Sequence, residues 1–583
     1  MNKDNSATRI RLTLVIVFLV SITLFVRLFY IQVLHGSEFK QIASGQYVAP
    51  KESSFDRGSI FFQDKNGKEL SAATRLTAYT LAVSPRDIKN GDDMYAKLSK
   101  AYPELDKTLF YKKLEKNDDP YEEIAKKLTL TQKKSIEALK LRGVQLTPEY
   151  YRSYPYKQAA SQVLGFVGFS QNTLSGRYGL ERYYNDVLAR GADGVYVNFF
   201  AEIFSDVGKT LFSGDKDREG DLVLTIDPNV QLFVEDQLKV MQEKWHSDSG
   251  GMIVMDPNTG KIVAMGAYPS FDPNVVSDGK VANFSNPLVE NVYEMGSIIK
   301  PLTVAAGLDS GAITRESRYF DRGDLLINGF HVRNYDHRAR GDVNVQEILS
   351  QSLNVGTVFV AQKIGGKKFK DYMLGYGLGE ATGVDLPNEA TSLVDNLHSN
   401  IEVDYLTTAF GQGMAISPLQ TIRALASLGN GGKLVTPYVV DKVKYKVGLP
   451  KTIVQNDPKQ ILKPATSEQI TQMLVTVVDK ALKGGKYKIP EYSVAAKTGT
   501  AQVARPHGGY YDDRYLHSMF AYFPAYKPRY IIFVFHTWPK NAKYASDTLT
   551  VPLFDTVKFL VSYYEIPPDR QADGIKIKDK NSQ

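Results

Sequence analysis

The first hydrophobic signal along the chain is an unbroken block. Leu12 to Val26 contains no charged residue, and after Arg27 the apolar character resumes with Leu28, Phe29, Tyr30, Ile31, Val33 and Leu34. A helix needs about 20 mostly apolar residues to span a bilayer. Residues 12–34 are therefore predicted to form one transmembrane helix, with Arg27 snorkelling to the interface near Tyr30. Lys3, Arg9 and Arg11 precede the block, so the positive-inside rule puts residues 1–11 in the cytoplasm and the chain from about residue 36 outside the cell membrane. No small-x-small cleavage site follows, which predicts an uncleaved signal anchor.

Beyond the anchor the pattern turns rhythmic. Ser53 to Leu70 reads as strand, turn, strand, with Ile60, Phe61 and Phe62 leading into Asp64-Lys65-Asn66-Gly67; Asn-Gly is a strong tight-turn signal. Tyr79, Leu81 and Val83 alternate as in a strand. Met94 to Leu141 is rich in Lys, Glu, Asp and Leu at helical spacing, with no convergent set of chemical residues, and reads as a solvated spacer. Closely spaced glycines then mark turns between Gly165 and Gly179, and the polar stretch Phe212 to Gly220 marks a boundary. Residues 36–215 are thus read as a first, pedestal-like region. From Asp221 a strand (Leu222 to Ile226), a helix (Val230 to Met241) and a hairpin (Gly251 to Met265) follow one another. Helices are predicted around Ser297, from Val345 to Lys363 and from Leu419 to Leu428, then a strand at Tyr530 to Phe535 and a closing helix at Val551 to Tyr564. That order predicts an α+β domain over residues 221–565, a mixed sheet flanked by helices. Residues 566–583 form a polar tail, expected to be disordered.

Composition narrows the chemistry. The 583 residues include no cysteine, which excludes thiol catalysis, disulfides and thiolate metal sites. The formal charge of +7 balances 71 basic against 64 acidic residues and gives no argument for nucleic acid. The eight histidines show no His-Glu-x-x-His spacing, so no metal site is predicted, and His517 is expected to pack or hydrogen-bond. There is no Gly-x-Ser-x-Gly elbow and no P-loop, and the glycines of 165–179 lack the framing of a dinucleotide site.

The candidate chemistry lies in three short stretches. Ser297 and Lys300 stand three residues apart and would share one face of a helix. A serine hydroxyl needs an adjacent base, and Lys300 could serve only if burial or a second cation depresses its pKa. Ser352-Leu353-Asn354 follows, then Lys497-Thr498-Gly499-Thr500. Each alone has a bland reading, such as a helix cap for Ser352 and Asn354. Their joint occurrence in this order is an acyl-transfer signature. Ser297 is the expected acyl acceptor and Lys300 its base, while Ser352 would relay a proton and Asn354 bind a substrate amide. Lys497 would hold an anionic substrate end and depress the pKa of Lys300, and Thr498 and Thr500 would offer hydroxyls to a carboxylate. Gly499 would clear space for a substrate paired along an edge strand. The backbone N–H groups of Ser297 and Thr500 are the candidate oxyanion hole.

With these motifs the chain resembles the class B penicillin-binding proteins, the monofunctional peptidoglycan D,D-transpeptidases. The resemblance extends to Arg57-Gly58-Ser59-Ile60, to Gly176 through Glu181, and to Gly411-Gln412-Gly413 and Ser417-Pro418-Leu419-Gln420. It implies a pedestal of the dimerisation type, a transpeptidase domain, and stem peptides ending in D-Ala-D-Ala as substrates. It also implies covalent inhibition by β-lactams and no metal or organic cofactor. Tyr293-Glu294 and the Lys-Thr-Gly-Thr form lean toward the division (septal) type, which implies a SEDS-type glycosyltransferase and other divisome proteins as partners. Met295 and Ala496 depart from the family's common Pro and Gly and bear on substrate fit. Alternatives are an elongation-type enzyme, a D,D-carboxypeptidase or β-lactamase, and a non-catalytic penicillin-binding scaffold or sensor.

Overall fold

The computed structural model describes residues 4–30, 57–116, 118–170, 173–189, 219–276, 281–505 and 508–570. The predicted tail from residue 571 and residues 31–34 of the predicted anchor lie outside the described residues. Helix α1 (Asp4–Phe29) is continuous over 26 residues, and its large apolar side chains from Leu14 to Val26 are exposed. Among the described residues no helix is long and apolar enough to cross a membrane.

The chain divides into two compact units. In the first, which includes Thr77–Tyr151, strand β1 (Ile60–Gln63) has no part, whereas the end of β2 (Glu69–Val83) pairs antiparallel with β3 (Glu122–Leu128). Helices α2 (Gly91–Ala101) and α3 (Lys107–Leu114) contribute Met94, Leu98 and Phe110 to a core with Leu81, Val83, Ile124 and Leu128. The stretch Met94 to Leu141 is therefore not helical throughout. Glu122, Ile124 and Leu128 are buried while Lys126 and Lys127 face outward, and pairing to β2 overrides the helical appearance of the composition.

The second unit spans Arg57–Leu76, Arg152–Arg190 and Gly214–Gln583, of which residues 57–76, 152–170, 173–189, 219–276, 281–505 and 508–570 are described. One of its sheets is mixed: β1 pairs antiparallel with the start of β2 and parallel with β4 (Gly220–Leu224), which pairs antiparallel with a later strand, Val440–Tyr445. Helix α4 (Pro228–Trp245) follows, capped by Asp227, whose side chain accepts from Asn229 N. The predicted hairpin forms as β5 (Ser249–Met255) and β6 (Ile262–Tyr268). After helix α5 (Lys300–Asp309) and helix α6 (Asn354–Ile364) come β7 (Ala495–Ala504), β8 (Tyr510–Phe523) and β9 (Tyr530–Thr537). The short α7 (Ala545–Thr548) and α8 (Thr550–Tyr563) close the unit.

These strands form a second, antiparallel sheet in the order β7-β8-β9-β5-β6. Both of its faces are covered. Ile531, Phe533 and Phe535 enter one core and Ile532 and Val534 the other, so β9 is apolar without interruption from Ile531 to Phe535. Helices α4 and α8 cover one face, with Phe233 stacked on Phe559 at 4.1 Å. On the other face α5 is buried nearly throughout. Strand β7, which carries Lys497 to Thr500, is left as a free edge.

Candidate active site

Ser297 lies on a 3-10 turn, Gly296–Ile299, that runs directly into α5. The expected helix N-terminus is thus preceded by a tighter turn, and Pro301 occupies the first turn of α5, where no N–H is needed. Three neighbours clamp this turn. Gly296 N donates to Gly411 O at 3.0 Å, Ser518 Oγ donates to Met295 O at 2.8 Å, and Thr303 Oγ1 donates to Ala409 O at 2.8 Å. Just upstream, the Glu294 carboxylate accepts from Gly413 N at 3.1 Å and from the Tyr510 hydroxyl at 3.0 Å. Burial pushes the Glu294 carboxyl above the usual carboxylate range.

The run Val345 to Lys363, predicted as one helix, is broken at the residues that matter. A first helix ends at Ser350, α6 starts at Asn354, and Ser352 between them adopts φ +56°. A left-handed backbone is costly for serine and is kept only where its surroundings enforce it. Here Leu353 N donates to Ile348 O at 3.0 Å across the turn, and two lysines hold Ser352 itself. Lys300 Nζ donates to Ser352 O at 2.5 Å and to Ser352 Oγ at 3.3 Å. Lys497 Nζ donates to the same Oγ at 3.0 Å and to Thr498 O at 2.8 Å. Lys300 is 0% exposed and Lys497 3% exposed, with no carboxylate among these contacts. Burial, and then the charge of Lys497, hold Lys300 well below the ordinary lysine value; burial brings Lys497 down to about 7. Of the pair, Lys300 is lowered by two causes, burial and the neighbouring cation, and Lys497 by burial alone. The Lys300 amine thus meets Ser352 through both its carbonyl and its hydroxyl oxygen.

On β7, Thr498 and Thr500 are half-buried and line the cleft beside Ser297. Gly499 corrects an expectation. A Cβ there would lie 2.4 Å from Ser518 Oγ, 2.8 Å from Met295 O and 3.0 Å from Ile298 N. Glycine at 499 makes room for the nucleophile turn, not for a substrate, because alternate residues of a strand face opposite sides. The hydroxyl of Thr500 accepts from Ala545 N at 3.1 Å, which ties β7 to α7.

Behind α7 runs a buried polar chain. Lys543 O can only accept, so His517 Nε2 donates to it (3.1 Å) and His517 Nδ1 accepts from the Thr548 hydroxyl (2.9 Å). The Thr548 oxygen then accepts from His536 Nε2 (2.9 Å), and His536 Nδ1 from Ser247 Oγ (3.2 Å). Tyr268 supplies the last donor, to Ser247 Oγ at 2.7 Å. Burial lowers His517 to about 4 and holds His536 well below its ordinary range, so both rings are neutral. His517, directly opposite Thr500 in the β7–β8 register, is a packed, hydrogen-bonded residue.

The sequence reading missed the opposite wall, residues 333–340. Asn354 Nδ2 donates to Arg333 O at 2.7 Å, Val355 N donates to Asn334 Oδ1 at 3.2 Å, and Arg340 Nε donates to Gln351 Oε1 at 3.0 Å. This loop is thereby fixed to the turn that carries Ser352 and Asn354. Its only sequence signal is a density of His, Arg and Tyr ahead of Ser352. Ser297, Ser352, Asn354, Lys497, Thr498 and Thr500 meet in one open cleft of about 950 Å³.

Residues 250–557 match the penicillin binding protein transpeptidase domain family, and residues 53–202 the penicillin-binding protein dimerisation domain family. Stage V sporulation protein D of Bacillus subtilis is 31% identical over 573 residues, covering 96% of this chain and 86% of that protein. Peptidoglycan D,D-transpeptidase FtsI of Escherichia coli is 27% identical over 453 residues, covering 76% and 72%. The crystal structure of penicillin binding protein 2X from Streptococcus thermophilus superposes with a TM-score of 0.72 at 19% identity, covering 88% of this chain and 80% of that one.

Proposed function

Because the chain belongs to the class B penicillin-binding proteins, it is read as a serine-type peptidoglycan D,D-transpeptidase, and we propose that Ser297 carries the reaction in septal wall synthesis. The observation that carries the residue assignment is the buried lysine pair on Ser352, with Lys300 held well below the ordinary lysine value three residues from Ser297. The substrate's terminal D-Ala carboxylate binds along β7 at Thr498 and Thr500, with Lys497 behind them, and Asn354 takes a peptide amide of the donor. Ser297 Oγ attacks the carbonyl of the penultimate D-Ala. Its proton passes to the Lys300 amine and, through the Ser352 hydroxyl, to the nitrogen of the departing D-Ala. The N–H groups of Ser297 and Thr500 receive the developing oxyanion, where one donor is worth about a hundredfold or more in rate. The amine of a neighbouring stem peptide then attacks the ester, its proton goes to Lys300, and Lys300 passes it to Ser297 Oγ as the ester C–O bond breaks. β-Lactams acylate the same oxygen.

The septal role is supported by Tyr293-Glu294 and by the FtsI name that several relatives carry. It brings a SEDS-type glycosyltransferase and divisome proteins as partners, and an anchor at residues 12–34 with the catalytic unit extracytoplasmic. Labelling the full-length chain with a fluorescent penicillin, beside Ser297→Ala, tests the chemistry. A covalent adduct on the wild type that disappears in the variant is expected. A folded wild type that forms none at high drug and long times would overturn the acylation mechanism.

A further inference from the structure

The cleft holds positive charge that no neighbour neutralises. Its two lining carboxylates are engaged: Asp336 takes Arg340 through two bonds of 2.8 and 2.7 Å, and Asp512 lies 3.5 Å from Arg505. Two lining cations are engaged too: Arg333 pairs with Asp324, and Lys483 with Asp547. Arg338 and Lys543, both exposed and both lining the cleft, reach no carboxylate among the described residues. They come from opposite walls and flank the point where those walls meet, since Tyr335 and Tyr544 approach edge to face at 5.9 Å. Arg338 stands on a fixed loop. Its carbonyl accepts from Asn334 Nδ2 at 3.2 Å and from Arg340 Nη1 at 2.7 Å, inside the network that holds Ser352 and Asn354.

Lys497 and the two threonines of β7 are committed to one end of a peptide. A second pair of cations without a carboxylate partner among the described residues, Arg338 and Lys543 (the latter 5.6 Å over the Tyr544 ring), stands on walls flanking the same cleft and fits a second anionic group further along that peptide. We propose that Arg338 and Lys543 form an anion subsite that selects acyl donors bearing a free carboxylate upstream of the D-Ala-D-Ala end. The proposal rests on the transpeptidase reading and adds a substrate class to it, the acidic rather than the amidated stem peptide. An exposed ion pair changes affinity by about two- to fivefold, so the two cations together give a preference of about tenfold, carried largely by association and weakened by salt.

The test uses the full-length chain in detergent with Ser297→Ala, so that binding is read without turnover. Two peptides are compared by calorimetry: L-Ala-γ-D-Glu-L-Lys-D-Ala-D-Ala and the same peptide with the glutamate α-carboxyl amidated. The acidic peptide is expected to bind about tenfold tighter at low salt, with the ratio falling toward one in concentrated salt. Adding R338Q and K543Q should bring the ratio near one at both salts, with circular dichroism confirming the fold. Equal affinities in the parent chain, a ratio that survives the double substitution, or no binding of either peptide at millimolar concentration would each overturn the subsite. Penicillin labelling separates the two readings. An adduct on Ser297 without a peptide preference removes the subsite alone, and a preference without an adduct removes the reaction while leaving the subsite.

Discussion

At the scale of single residues the site turns on where two protons reside. Lys300 and Lys497 share one hydroxyl, and the charge of Lys497 is one of the causes that hold Lys300 low. Replacing Lys497 by Met removes that charge, so Lys300 becomes easier to protonate and its pKa rises. The acid limb of penicillin acylation is therefore expected to move to higher pH, read as the second-order acylation rate against pH; an unmoved limb would show that Lys300 does not feel its neighbour. Stability should move the other way. Lys497 titrates near 7 when folded against 10.5 as an ordinary lysine, so between those values the unfolded chain binds the extra proton and stability rises with pH. Below about 7 the burial cost is complete. The Met variant should thus gain on the order of a few kcal/mol at pH 6–7 and little near pH 10.5 in urea unfolding. Most of these residues were legible in the chain because the chemistry needs them at fixed short spacings. Arg338 and Lys543 were not, because a cation is free only when its neighbours' partners are known, and Arg340 with Asp336 and Arg333 with Asp324 are settled by loop geometry.

At the scale of elements, periodicity located the strands and helices and failed where tertiary pairing decides. The apolar run at Tyr530 to Phe535 and the hairpin after Ser249 were readable because burial on two faces leaves few polar positions. The break at Ser352 was not, since Val345 to Lys363 has continuous helical spacing, and the left-handed turn at φ +56° is closed by Leu353 N donating to Ile348 O and held by Lys300 and Lys497. The short helix α7 was hidden for a similar reason: its place depends on Thr548 bridging two neutral histidines. Thr548→Val would leave His517 Nδ1 without a donor and His536 Nε2 without an acceptor, at a cost of about 2–4 kcal/mol for the two buried groups. Because α7 also supplies Ala545 N to Thr500 Oγ1, the variant should acylate more slowly, and Thr548→Ser should restore both properties. Valine behaving like wild type in urea unfolding and penicillin labelling would remove the bridge from the account. His517 and His536 also give a pH window. Their folded values lie below the ordinary 6.5, His517 near 4, so the unfolded chain binds more protons in between and stability falls as pH drops from 6.5 toward 4.

At the scale of the whole molecule, segments that the sequence assigned to the pedestal pack with the catalytic unit. Arg57–Leu76 and Arg152–Arg190 belong to it, and a buried ion triad joins them. Glu181, fully buried, accepts from Arg57 Nε at 2.5 Å through one oxygen and from Arg152 Nε at 2.6 Å through the other, where the Tyr154 hydroxyl adds a donor at 3.2 Å. The motifs were visible as Arg57-Gly58, Arg152 and Gly179-Leu180-Glu181, but their meeting was not, because 124 positions separate Arg57 from Glu181. Burial raises the Glu181 carboxyl, and Arg152 and Arg57 overcome it and leave it below the ordinary value of 4.5. Such a triad is weak proof of net stability, since an apolar trio of equal volume could do as well. Removing one member is another matter. Glu181→Gln would strand two guanidinium groups in the interior, one of which already has an Nη2 without a partner, and is expected to cost about 3–5 kcal/mol. The loss should be largest above pH 4.5 and shrink as pH falls through the folded value, because there the wild-type carboxylate takes up its own proton. Urea unfolding of the two chains from pH 7 to 3 would read this directly. A loss under about 1 kcal/mol at pH 7, well below that expected for breaking a buried pair, would mean that water or the Asn185 and Gly58 carbonyl contacts of the arginines suffice. The catalytic unit would then owe its hold on residues 57–76 and 152–189 to the strand pairing of β1 and the apolar core alone.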